Sequence, residues 1–238
     1  MVSGRLGHDQ PRLATVTLAD PRVRLGLSAA AILATAAPVR TDRVGQRESR
    51  VFLAVNGLPD RLYRPTWMIM QLGAFGAVPA TACAAWLAGD RRLAWRLAAS
   101  GSATWALAKL VKKRVGRPRP SSLLPGARCR GPEASGLGYL SGHAGVVTAL
   151  GAAAFHRAGP AGRCAIAGAV ATVGMSRAYV GAHLPLDIAG GAALGLAVEA
   201  AVALACPPAP AGGHASDLSN RTRACEAASG PAASPWRS

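Results

Sequence analysis

Apolar segments of near-membrane length, joined by short polar connections, limit what this chain can become more than any other feature of it. A helix needs about 20 residues to cross ~30 Å of hydrocarbon, and in lipid its backbone polar groups must be satisfied internally. Residues 67–88, 93–111, 141–158, 162–182 and 185–206 are such runs. Residues 23–39 are a weaker sixth, with Arg24 at the edge and Pro38 at the end. Hydrophobic residues make up 50% of the 238, yet aromatics only 5%, so Ala, Leu and Val supply most of the apolar surface. Small side chains of this kind suit closely packed helices more than a sheet core. The pattern predicts an all-α integral membrane helix bundle of about six transmembrane helices.

The remaining segments fall into place around these runs. Residues 1–22 read as a disordered lead, and the Pro/Ala/Ser-rich tail 207–238 has too little apolar content to fold. Residues 23–206 then form one membrane domain. The run 23–39 is also compatible with a signal-peptide core ending at Ala34-Thr35-Ala36, but the long lead with Asp9 and Asp20 favours a retained span. Residues 40–65, around Val51-Phe52-Leu53-Ala54-Val55, read as a short amphipathic helix on the membrane surface or a solvated loop. Arg96 and Lys109 sit near the ends of the run 93–111, where they can snorkel to water. Five cysteines form no CxxC pair and say little about redox compartment.

A formal charge of +16 raises nucleic acid as a partner, but no helix–turn–helix or aromatic RNA-binding pattern accompanies it. Attraction to anionic lipid is the simpler account. With the N-terminus inside, the loops 89–92 and 156–163 are cytoplasmic and carry Arg91, Arg92, Arg157 and Arg163, as the positive-inside rule requires. The outer loops are basic as well, and that breaks the rule unless those cations have a task.

Three clusters supply the task. Lys112-Lys113-Arg114 with Arg117 and Arg119 ends the third run, where guanidinium groups can offer paired hydrogen bonds to phosphate oxygens. Alone, such a cluster is more often a lipid-headgroup anchor. Ser141-Gly142-His143 opens the fourth run, with a good N-cap and a helix N-terminus whose free N–H groups favour anions. Alone, that histidine is more often a surface residue. Between the last two runs lie Arg177, His183 and Asp187. Asp187 opens an apolar span, and a buried carboxylate is costly unless paired; His183, one helical turn earlier, is the expected partner. All three clusters fall on the same side of the membrane, at the extracytoplasmic ends of helices 3 to 6.

Lys112-x6-Arg119-Pro120, Ser141-Gly142-His143 and Ser176-Arg177-x5-His183-x3-Asp187 together resemble the three-part signature of the type 2 phosphatidic acid phosphatase superfamily, whose site the vanadium haloperoxidases share. The resemblance spans roughly residues 67–206, with the signature itself at 112–187. One position departs from it: Leu140 stands where the second motif usually begins with Pro, which bears on loop geometry and leaves the chemistry intact.

The resemblance implies a cell-membrane, multi-pass phosphatase acting on a lipid phosphate or polyprenyl diphosphate through a phosphohistidine. His183 would be the nucleophile, Asp187 would orient it, and His143 would protonate the leaving oxygen and later activate water. Lys112, Arg119, Ser141, Gly142 and Arg177 would hold the phosphoryl oxygens. The two histidines then need opposite protonation states, which predicts a bell-shaped pH profile. Neither metal nor cofactor is expected, and His8, His156 and His214 are bystanders. Three other readings compete. A haloperoxidase would be soluble, against the apolar runs; no motif excludes a phosphotransferase with a non-water acceptor; a non-catalytic basic membrane protein would make all three clusters coincidence.

Overall fold

The computed structural model describes residues 20–40, 43–131 and 136–206. Apart from residues 20–22, the expected lead and tail lie outside the described residues. The helices belong to a compact unit that ends at Ala205. Among the described residues the structure is helical, with one isolated bridge between Pro118 and Leu137.

Each of the six apolar runs is helical. The first helix, α1 (Pro21–Val39), starts two residues before the expected run, where the Asp20 carboxylate accepts from the Arg22 N–H at 2.8 Å and Pro21 occupies the first turn. It packs along the last helix, α9 (Pro185–Ala205). The two are tied by charge as well as packing: Arg24 meets Glu199 at 2.9 Å, and Arg96 grips the same carboxylate, which is fully buried. The run 23–39 is therefore an integral member of the bundle, and Arg96 is held by an ion pair where snorkelling was expected.

Residues 46–56 take the first of the two expected forms. They form the expected short amphipathic helix, α2 (Gln46–Asn56), exposed on one face and docked on the bundle by the other. Phe52 is fully buried against Ala178 and Leu184. The Asn56 carboxamide donates to the carbonyls of Arg128, Ala178 and Tyr179 and so ties α2 to the loop at Arg128 and to the end of the helix Pro160–Tyr179.

The run 67–88 is not one straight span. It divides into α3 (Tyr63–Met70), a 3-10 turn at Gln71–Gly73, and α4 (Ala77–Leu87), bent by 64°. Gly73 explains the break. A Cβ there would lie 2.5 Å from the His143 carbonyl oxygen, so the backbone turns where it meets the next element of the site.

The third run becomes α5 (Arg91–Val115), capped by the Asp90 carboxylate on the Leu93 N–H at 2.9 Å and closed by Gly116 in the left-handed conformation at φ 71°. After the one-turn α6 (Pro120–Leu123) come α7 (Gly142–Phe155) and α8 (Pro160–Tyr179). α7 sits centrally, against α5, α8 and α9. Its crossing with α9 is made by glycine: a Cβ on Gly191 would stand 2.3 Å from the Ser141 oxygen, and one on Gly195 would stand 2.2 Å from the Gly145 oxygen. Such close backbone approach is a known solution for helix packing in lipid. Val78, Leu97, Val146 and Leu150 fill the space between α4, α5 and α7.

The architecture is an all-α bundle of membrane type. By length and composition α1 and α9 can each cross a bilayer, and the bent pair around residues 71–76 makes a third span if it counts as one. Large apolar side chains face outward, among them Leu33, Met68, Leu87 and Trp95, a surface that hydrocarbon accepts and water does not.

Candidate active site

The end of α5, the start of α7 and the α8–α9 connection meet at one end of the bundle. Lys112, Arg119, Gly142, His143, Arg177 and His183 line a single cavity of about 240 Å³ there. The three sequence clusters, distant along the chain, thus share one space.

Local structure explains each placement. Lys112 occupies the last turn of α5, where cations suit the negative end of the helix dipole, and its ammonium donates to the Leu137 carbonyl at 3.3 Å. Arg119 immediately precedes the proline that opens α6. Gly142 and His143 form the first turn of α7, whose N-terminal N–H groups face the cavity end. Arg177 lies in the last turn of α8, fully buried, with Nη1 against the Met70 sulfur at 2.7 Å. His183 is buried in the connection, where its backbone N–H donates to the Arg177 carbonyl at 3.2 Å.

Two expected residues stand behind the cavity wall. Ser141 is fully buried and caps α7, its hydroxyl accepting from the Ala144 N–H at 3.4 Å. It works through the fold: its own N–H donates to the Asp187 carbonyl at 2.8 Å and so joins the starts of α7 and α9. Leu140, the departure from the family pattern, is fully buried and follows a cis peptide, and the Ser141 cap forms nonetheless. Asp187 is fully buried three residues into α9, where Oδ2 accepts from the Leu184 N–H at 2.8 Å, half of a capping box.

The pairing of Asp187 is broader than the sequence reading held. Its Oδ2 lies 3.7 Å from His183 Nδ1, an ion-pair distance and not a hydrogen bond. The close partner is Arg117, whose Nη1 donates to Oδ1 at 2.7 Å. Arg117 is itself buried and held by Glu48 of α2, with Nη2 at 3.1 Å from Oε2. Glu48 also accepts from the Leu186 N–H at 3.1 Å. A line of alternating charge, Glu48–Arg117–Asp187, thus runs up to the histidine. The one sequence signal for Arg117 was that a buried carboxylate requires a cation. No signal marked Glu48.

Burial pushes the His183 imidazole well below its ordinary pKa, and the charges of Lys112, Arg177 and Arg119, with His143, push the same way. Among the described residues no three His, Cys, Asp or Glu side chains gather as a metal site would need. The charged groups at the cavity are cations, so it is built to receive an anion.

Residues 92–208 match the sequence model of the PAP2 superfamily. Through this region the chain belongs to the PAP2 superfamily. The PAP2 region starts within α5, so Glu48 and the bend at Gly73 are supplied from ahead of it. None of the curated protein sequences matches the chain. Its fold is similar to the crystal structure of Aquifex aeolicus LpxE, with TM-score 0.59 and 18% identity over 66% of this chain and 93% of that one. It is also similar to the first transmembrane PAP2 type phosphatidylglycerolphosphate phosphatase from Bacillus subtilis, with TM-score 0.58 and 17% identity over 75% of this chain and 94% of that one. At these identities the likeness concerns the fold, and it is a transmembrane PAP2 fold.

Proposed function

We propose that this chain is an integral membrane phosphatase that hydrolyses a lipid phosphate or polyprenyl diphosphate through a phosphohistidine. The observation that carries the reading is the convergence of two histidines and three cations, His143, His183, Lys112, Arg119 and Arg177, on one cavity. One of the two similar structures is by name a transmembrane PAP2 type phosphatidylglycerolphosphate phosphatase, and this supports the substrate class.

In the proposed reaction the phosphoryl group sits among Lys112, Arg119, Arg177 and the N-terminal N–H groups of α7. His183, neutral because its pKa is depressed, attacks phosphorus through Nε2, and the bond from phosphorus to the leaving oxygen breaks. His143 gives that oxygen its proton. The now neutral His143 takes a proton from water, the water oxygen attacks phosphorus, and the phosphorus–nitrogen bond breaks to release phosphate and restore both histidines. The buried carboxylate of Asp187 stabilises the positive ring of the intermediate, and Arg117 and Glu48 hold that carboxylate in place. The cations offset charge spreading over the phosphoryl oxygens, so no metal ion is required. The cavity faces the extracytoplasmic side, with the Arg-bearing turns at 89–92 and 156–163 in the cytoplasm.

Inorganic phosphate release from phosphatidate or a polyprenyl diphosphate, by detergent-purified protein with excess chelator, tests this. Turnover that survives chelator and disappears in His183→Ala is expected. Wild-type turnover in His183→Ala refutes the mechanism.

A further inference from the structure

The cavity extends past the phosphoryl-binding groups along α5. Below Lys112 on the same helix face lie Lys109, about 4.5 Å along the axis, and Trp105, about 10 Å along it. Both line the cavity, with Phe75 opposite, delivered by the bend that follows Gly73. The Phe75 and Trp105 rings stack at 4.6 Å between centroids, tilted by 38°. The Lys109 ammonium lies over the Trp105 face at 3.5 Å from its centroid.

This placement needs an explanation. A lysine near the end of a membrane helix normally extends to water. Here it is drawn against an aromatic wall, and among the described residues no carboxylate pairs with it. Its side chain remains exposed, so the ammonium stands over Trp105 at the open side of the cavity, where an anion can reach it. Lys112, Arg119 and Arg177 already surround the phosphoryl site, and the cavity lining contains no carboxylate. Lys109 is a fourth cation, displaced along the helix by one turn, on the side where Gly73 brings the bend against His143, the leaving-group acid of the proposed reaction.

Building on the phosphatase reading, we propose that Lys109, Trp105 and Phe75 form a leaving-group subsite for substrates whose leaving group carries its own anion beside the scissile bond. Two chemistries meet the requirement. A polyprenyl diphosphate leaves as a monophosphate, and a phosphatidylglycerol phosphate leaves with its phosphodiester. Phosphatidate leaves as neutral diacylglycerol and gives Lys109 nothing to hold. The aromatic pair lies against the first apolar part of the leaving group, and the ammonium, fixed over Trp105, meets the anion without having to be ordered on binding.

The test compares full-length wild type, Lys109→Met and Lys109→Arg in mixed micelles of fixed composition, using phosphate release from each of the three substrates. Wild type is expected to turn over both anionic-leaving-group substrates with kcat/KM at least about tenfold above phosphatidate. Lys109→Met should lose about tenfold more on those two than on phosphatidate, mainly in KM, and Lys109→Arg should restore the preference. The larger loss of the two identifies whether the diphosphate or the phosphodiester is the better fit. Equal losses on all three would make Lys109 a general lipid anchor and overturn the proposal, as would a wild type that prefers phosphatidate. Release from none of the three would sink the phosphatase reading itself, a result distinct from activity without selectivity.

Discussion

Replacing Gly195 by Ala adds one methyl group directly into the α7–α9 crossing that spaces the two histidines. The added Cβ would sit 2.2 Å from the Gly145 carbonyl oxygen and 3.0 Å from the Ala149 N, against 3.4 Å as the near edge of ordinary contact. Both neighbours are helix backbone, which cannot rotate away, so α7 must move by about 1 Å relative to α9. His143 lies two residues from Gly145, whereas His183 and Asp187 are fixed at the start of α9. Overpacking of this kind costs about 1–3 kcal/mol of stability, and a misplacement of about 1 Å costs roughly 100-fold in rate. The expected result is a kcat/KM for phosphate release about two orders of magnitude below wild type, measured well below the unfolding temperature. Gly168→Ala on α8, where a Cβ meets nothing within 4 Å, is the control and should keep wild-type turnover. A folded Gly195→Ala enzyme at wild-type rate would refute the claim that this crossing sets the spacing of the histidines.

Arg117→Met removes the cation from the fully buried Asp187 and should lower stability by about 3–5 kcal/mol along with activity, read by denaturation in detergent. Glu48→Gln keeps the shape and weakens the grip on Arg117, so it should lower activity less than Arg117→Met does; equal effects would break the proposed chain of support. The His183 pKa lies well below 6.5, so the acid limb of kcat/KM, where the nucleophile becomes protonated, should fall below pH 6.5. Lys112→Ala removes one charge that depresses that pKa and should move the limb upward, even as overall turnover drops. The same histidine makes native stability decline as pH falls through 6.5, because the unfolded chain takes up the proton first.

The helices were legible because lipid-length apolar runs leave few alternatives, and the candidate site was legible because three motifs each supplied residue types with a shared chemistry. What stayed hidden is long-range pairing. Glu48 belongs to a segment whose charges suggested a solvated surface, and its bond to Arg117 joins residues 69 apart. Arg96 and Lys109 looked alike as terminal cations of one span, yet one pairs with Glu199 and the other lies on Trp105. The break at Gly73 follows from contact with the His143 carbonyl, a neighbour distant in sequence that no count of apolar residues reveals.

The ion cluster on Glu199 also constrains the order in which the bundle can be completed. Arg24 and Arg96 belong to helices synthesised early, and their common counter-charge lies near the end of the last helix. Until α9 emerges from the ribosome, two arginines wait without that carboxylate in segments bound for lipid. Closure of α9 against α1 and α5 therefore serves as the final latch of biogenesis, and a chain cut short before Glu199 would leave an open bundle displaying charge for membrane quality control to find.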